Sequence, residues 1–208
     1  MALFRAYHRT RAHYRERRAA LYRPGIEAAL MEEPADAVCA ILRPRRWGDA
    51  DIVQEVMVEA MRHLEGGAFE TLRQAALRLG LSERALRDLR ARDRHRRGRA
   101  LDRLGVLRPA EAVPAILSVL DEQPLELKLV ALRALAALGD HTVLPRLVRE
   151  ADALPPPLLP RLISLLLEFD APGRRAAVDL INRHPRAFPP SAVRDILRHL
   201  SVDFGTAR

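Results

Sequence analysis

RGRALDRLGVLRPAEAVPAILSVLDEQ, residues 97–123, falls on KLVALRALAALGDHTVLPRLVREADAL, residues 128–154, when the sequence is slid along itself by 31 positions. Under that offset Arg97 meets Lys128, Ala100 meets Ala131, Leu101 meets Leu132, Leu104 meets Leu135, Leu107 meets Leu138, Pro114 meets Pro145 and Asp121 meets Asp152. Self-similarity at a fixed period is the signature of repeat architectures. Within each repeat apolar residues recur at three and four, a Gly or Pro break follows, and a second apolar stripe begins, so each reads as two short helices. In the second repeat Asp140 is placed to cap a helix that turns Val143, Leu144, Leu147 and Val148 inward. Neither helix can bury its stripe alone, whereas stacked pairs can. A third, weaker repeat follows at about the same period, with Leu166 and Phe169 under Leu135 and Leu138 and Val178 under Leu147. Pro155, Pro156 and Pro157 mark the turn into it.

Working outward, 49–66 and 67–80 read as another helix pair, a divergent repeat with Ile52, Val56, Ala60 and Leu64 on one face. The stretch 81–93 starts a helix at Ser82 that breaks the spacing and leads into the arginine-rich start of the first clear repeat. Segments 24–46 and 189–200 supply helices at the two ends, each beginning near a proline, a residue tolerated in the first helical turn. The division expected is 1–23, a basic amphipathic helix; 24–93, divergent repeats; and 94–208, clear repeats with a C-terminal cap.

Composition agrees with helices. The chain has 208 residues, 49% of them hydrophobic but only 4% aromatic, so its core must be mostly Leu, Ala, Val and Ile, and the fold class expected is all-α. The net charge of +8 is local. Residues 1–23 hold seven Arg against Glu16, and 84–108 hold ten Arg against Asp88, Asp93 and Asp102, which leaves the remainder acidic. The overall basicity is therefore no argument for nucleic-acid binding by itself. Cys39 is the one cysteine, which excludes an internal disulfide and a thiolate metal site. The longest apolar runs, such as Leu162 to Leu167 broken by Ser164, fall well short of the ~20 residues that span a bilayer.

The pattern R-x-x-A-L-x-x-L-G followed by A-V-P-x-I-L is carried by Arg97, Ala100, Leu101, Leu104, Gly105, Ala112, Val113, Pro114, Ile116 and Leu117, and again by Lys128 through Val148. It resembles the HEAT-like repeats of the phycobilisome-lyase type over residues 94–186. More loosely, the whole chain is similar to bacterial HEAT-repeat proteins in which an N-terminal membrane helix and a basic segment precede a helix pair ending in a G-L junction. LRLGLSERALRDLRARDRHRRGRALDRLG, 77–105, stands where that junction would be. The resemblance implies a right-handed α-solenoid of HEAT-like helix pairs, with about ten to twelve helices. It also implies a membrane helix upstream of Met1, a place on the cytoplasmic side of a bacterial membrane, and partners in envelope or polysaccharide-producing machinery.

Candidate chemistry is sparse. HEAT-like alkylpurine DNA glycosylases use a Trp and an Asp near each other, which draws attention to Trp47, Asp49 and Asp51. That class lines a concave basic groove with several aromatics, however, and this chain has one Trp. The preferred reading is that Trp47 packs where a helix starts and Asp49 caps it. Asp51, Glu55 and Glu59 fall at i, i+4, i+8 and share a helical face, read as an acidic solvent face toward an arginine of a neighbouring helix. The seven histidines show no metal-binding spacing, and no G-x-S-x-G, G-x-G-x-x-G or P-loop motif occurs. No catalytic residue, metal ligand, cofactor or small-molecule substrate is expected.

Two basic stretches remain. Arg90, Arg92, Arg94, His95, Arg96 and Arg99 are candidates for binding an acidic partner, or else a solvated face. In the N-terminal stretch Phe4, Tyr7, Tyr14 and Leu21 lie near one stripe, with Arg5, Arg9, Arg11 and Arg15 among the basic residues around it. Tyr and Arg together suit the lipid headgroup zone, so anionic lipid is a candidate partner of 1–23, and the same helix can cover the open edge of the first repeat. The function expected is a non-enzymatic scaffold that binds another protein at the membrane. A DNA-binding protein of the glycosylase type and a lyase-like chromophore chaperone, the latter suggested by repeat type alone, are the alternatives.

Overall fold

A computed structural model describes residues 13–121, 125–146, 164–165, 169 and 171–183. Among the described residues every regular element is helical and no strand occurs. The chain divides into two compact units, Met1–Asp88 and Leu89–Arg208.

In the N-terminal unit, α1 (13–20) leads through a turn into α2 (Arg23–Leu30), which has Pro24 in its first turn. The end of α2 is closed by paired backbone bonds: Glu32 N–H donates to Ala29 O at 3.1 Å and Glu33 N–H to Ala28 O at 3.0 Å, with Glu32 in the left-handed region at φ 57°. Pro34 then starts α3 (Ala35–Leu42). The two helices meet at Gly25, where a Cβ would lie 2.5 Å from Leu42 Cδ2, so only glycine permits this approach. After the loop 43–48 come α4 (Asp49–Met61), α5 (Gly66–Arg78) and α6 (Leu81–Leu89). Gly80, at φ 69°, lets α6 begin at Leu81, one residue before the Ser82 expected from sequence.

The core of this unit takes Val53, Met57 and Met61 from α4 and Leu72, Ala75 and Ala76 from α5. That differs from the expected Ile52, Val56, Ala60, Leu64 face: Ile52 is covered, but Val56, Ala60 and Leu64 are half-buried. Helix α4 is apolar over more than one face, and the face one position along is the one its neighbours seal.

In the C-terminal unit the 31-residue offset recurs in the backbone. Helix α7 (Arg94–Leu107), a 3-10 turn (Ala110–Ala112) and α8 (Val113–Val119) are followed by α9 (Leu125–Leu138), a 3-10 turn (His141–Val143) and a helix resuming at 144. Both long helices end on a left-handed residue, Arg108 at φ 49° and Gly139 at φ 70°. Helix α7 packs along α9 through Gly105, whose added Cβ would meet Ala134 Cα at 3.1 Å. Leu101, Leu104, Leu107, Ile116, Leu120, Leu132 and Leu135 fill the core around them. The two repeats are tied by an ion pair between Asp121 and Arg146. Asp140 serves as a cap, its Oδ1 accepting from Thr142 N–H at 2.9 Å. Further on, Phe169 is buried and α10 (Ala171–Arg183) carries a half-buried Val178. Residues 155–157, Leu166 and the segment 189–200 lie outside the described residues. No helix among the described residues is long and apolar enough to cross a membrane.

Candidate functional site

The N-terminal unit is knotted at Asp49, the first residue of α4. Its carboxylate is 2% exposed. Arg18 Nε donates to Oδ1 at 3.1 Å while Arg18 Nη2 donates to Oδ2. Oδ2 also accepts from the Tyr22 hydroxyl at 2.6 Å and from Arg46 N–H at 3.0 Å. Arg45 N–H in turn donates to the Tyr22 oxygen at 3.2 Å. Arg18 and Tyr22 are one turn apart on the chain and present one face to the carboxylate. Burial by itself would raise the Asp49 pKa, but the hydrogen bonds from Arg18 and Tyr22 and the Arg18 charge hold it below its ordinary value. Burial first, and then the bond to Asp49, push the Tyr22 hydroxyl up.

This knot corrects two sequence expectations. Gly48, at φ 90°, is the N-cap of α4, and Asp49 lies inside the helix with its side chain turned back. Trp47 does not pack where the helix starts; it is 103% exposed. The reason is the anchoring of its neighbours: with Arg45 and Arg46 held by their backbone N–H groups, the loop has no slack to fold the indole inward.

Beside the knot lies a groove of about 560 Å³ between α1, α2 and α4. Its floor is apolar, formed by Ala19, Ile26, Ile52, Val56 and Ala60. The face of α4 that sequence patterning assigned to the core is thus the wall of an open groove. Four carboxylates, Glu16, Glu27, Glu55 and Glu59, stand against two guanidiniums, Arg15 and Arg23, around its rim, with His63 at one end. Arg15 pairs with Glu55, and Glu59 lies 3.5 Å from His63 and 3.9 Å from Arg62. Asp51, one turn before Glu55, is bound by Arg84 of α6 at 2.5 Å. The row Asp51, Glu55, Glu59 therefore faces arginines, and no cluster of groups able to hold a metal occurs among the described residues.

Of the N-terminal residues singled out from sequence, Phe4, Arg5, Tyr7, Arg9 and Arg11 lie outside the described residues. Tyr14 is 54% exposed, and Arg15 is spent on Glu55. Arg90, Arg92, Arg94, His95, Arg96 and Arg99 are all exposed. The last four open α7, whose N-cap is Asp93, its Oδ1 accepting from His95 N–H at 3.1 Å. The first turn of α7 holds no acidic residue, so cations crowd the positive end of a helix dipole, an arrangement that costs the helix stability. Sequence reading missed Arg18 and Tyr22 as structural anchors. Their spacing of four was visible, but their acceptor is 31 and 27 residues away.

Compared with protein-family models, curated proteins and solved structures, the chain finds no match.

Proposed function

We propose that the protein is a non-enzymatic helical-repeat scaffold that holds another protein at the cytoplasmic face of a bacterial membrane. In this reading the helix pairs are HEAT-like and wind as a right-handed α-solenoid, in keeping with the 31-residue recurrence of helix, left-handed residue, 3-10 turn and helix. The observation that carries it is the groove's apolar floor of Ala19, Ile26, Ile52, Val56 and Ala60, flanked by a rim with more acid than base. Such a groove suits an amphipathic helix from a partner, apolar residues on the floor and basic residues toward Glu16 and Glu27. In the C-terminal unit, taken by itself, the arginines at the start of α7 suit an acidic protein segment.

The test has two stages. A photo-cross-linker at position 60 in cells identifies the partner, and affinity is then measured between the purified proteins. Val56→Arg, with helicity unchanged by circular dichroism, is expected to weaken binding at least about tenfold, the loss from one charge forced onto an apolar contact. Unchanged affinity defeats the reading. So does tight, salt-dependent DNA binding with abasic product, both lost in Asp51→Asn, which would instead establish the glycosylase alternative.

A further inference from the structure

Trp47 is the only tryptophan in the chain, and hydrogen bonds tie down the loop that carries it. Pro44 fixes one backbone angle. Arg45 N–H is bound to Tyr22, Arg46 N–H to Asp49, and Asp49 N–H donates back to Arg46 O at 3.1 Å. Held in this way, the loop presents a wholly exposed indole with the exposed arginines 43, 45 and 46 around it. No carboxylate occurs from 37 to 48, and Asp49 is sealed in the knot. Helix α1 is tied to the end of this loop through the Arg18–Asp49 pair. Arg18, which reaches Asp49, shares a strip with Tyr14, Arg17 and Leu21 at spacings of three and four. Tyr14 and Leu21 are 54% and 41% exposed, and Arg17 is exposed.

We infer that the Trp47 loop and the strip of Tyr14 and Arg17 on α1 with Leu21 in the turn after it form a docking surface for an anionic lipid bilayer, with Trp47 entering the headgroup zone and Arg17, Arg43, Arg45 and Arg46 meeting phosphates. This rests on the membrane clause of the proposed function and gives that clause its residues. The chemistry favours lipid over the other occupants of an aromatic and basic surface. A single-stranded nucleic acid is held by successive stacking rings along a groove, whereas Trp47 is a single, wholly exposed ring. A protein hot spot is an aromatic ringed by near-neutral contacts that exclude water, whereas the neighbours of Trp47 are the exposed arginines 43, 45 and 46. A bilayer interface asks only for depth: an indole that reaches it, and cations beside that indole to meet headgroup charge.

Because Trp47 is the only tryptophan, its emission reports this site alone, which separates it from binding through residues 1–12. With the whole chain and phosphatidylcholine vesicles containing phosphatidylglycerol, the expected result is a blue shift of emission and quenching by bromines on the acyl chains. Vesicles of phosphatidylcholine alone should give neither. Replacing Arg43, Arg45 and Arg46 together by Ser is expected to lower vesicle affinity on the order of a hundredfold, from three cations near the surface. Trp47→Ser should lower it further still, with helicity intact. Unchanged emission on the anionic vesicles overturns the inference even if the chain floats with them. Equal partition into neutral vesicles overturns it too, as does a blue shift on single-stranded DNA but not on vesicles. If lipid docking fails while Val56→Arg still weakens partner binding, this inference falls and the scaffold reading stands.

Discussion

At Asp49 four hydrogen bonds converge on one carboxylate, from two nitrogens of Arg18, the Tyr22 hydroxyl and the Arg46 amide. Removing the charge leaves those donors aimed at a poorer acceptor. Asp49→Asn is expected to lose on the order of 2 kcal/mol at neutral pH, a buried-donor penalty eased because Arg18 reaches solvent at its edge. The pH dependence has a definite sign. The carboxyl titrates lower in the folded protein than its ordinary 3.8, so the stabilisation is complete above that value and drains away as pH falls through the lowered folded value. Urea unfolding of both proteins at neutral pH and again well below 3.8 checks this. The gap between them should close in acid, and a constant gap would mean the charge is not its source. None of this was legible in local spacing. Trp47 was expected to pack because an indole beside a helix start usually does, and its exposure follows from anchors on Tyr22 and Asp49 that only the folded chain brings together.

Among the helices, what the sequence made legible was period rather than covering. The 31-residue offset predicts a helix, a break and a second helix in each repeat, and the structure places α7 and α9 there with a 3-10 turn at each break, because packing on similar neighbours repeats the same apolar code. For α4 the code is ambiguous, since Ile52, Val53, Val56, Met57, Val58, Ala60 and Met61 leave more than one apolar stripe on offer. Periodicity names a stripe, while the angle at which α5 arrives decides which one is sealed. Helix α7 gives an opposed pair of outcomes on one helix. At Gly98 the nearest atom to an added Cβ is Leu127 Cδ2, at 3.8 Å, an ordinary contact. Gly98→Ala should therefore stabilise by about 0.5–1 kcal/mol from helix propensity. At Gly105 the obstacle is the backbone of Ala134 at 3.1 Å, which cannot swing aside. Gly105→Val should cost about 1–3 kcal/mol by forcing the helices apart. Thermal melts followed by circular dichroism should move in opposite directions for the two variants. A rise for both would mean that α7 and α9 lie farther apart than described.

For the molecule as a whole, the division at Asp88 and Leu89 means that each unit carries a core of its own. Gly25→Val thrusts methyl groups into Leu42, at the meeting of α2 and α3. Hydrogen exchange is expected to lose protection throughout 13–88 while the amides of α7 and α9 keep theirs, because stability is distributed by cooperative unit. Equal loss in both units would show a single cooperative body. The basic charge is divided in the same spirit, one part around Trp47 in the N-terminal unit and another at the opening of α7 in the C-terminal unit. One further consequence belongs to Arg108 and Gly139, which stand one period apart and both in the left-handed region. A segment that starts and finishes on a left-handed residue is a link that can be copied. An in-frame duplication between those points would hand the chain on in the direction it already had, so inheritance can lengthen this protein by whole links while inventing contacts only at the join.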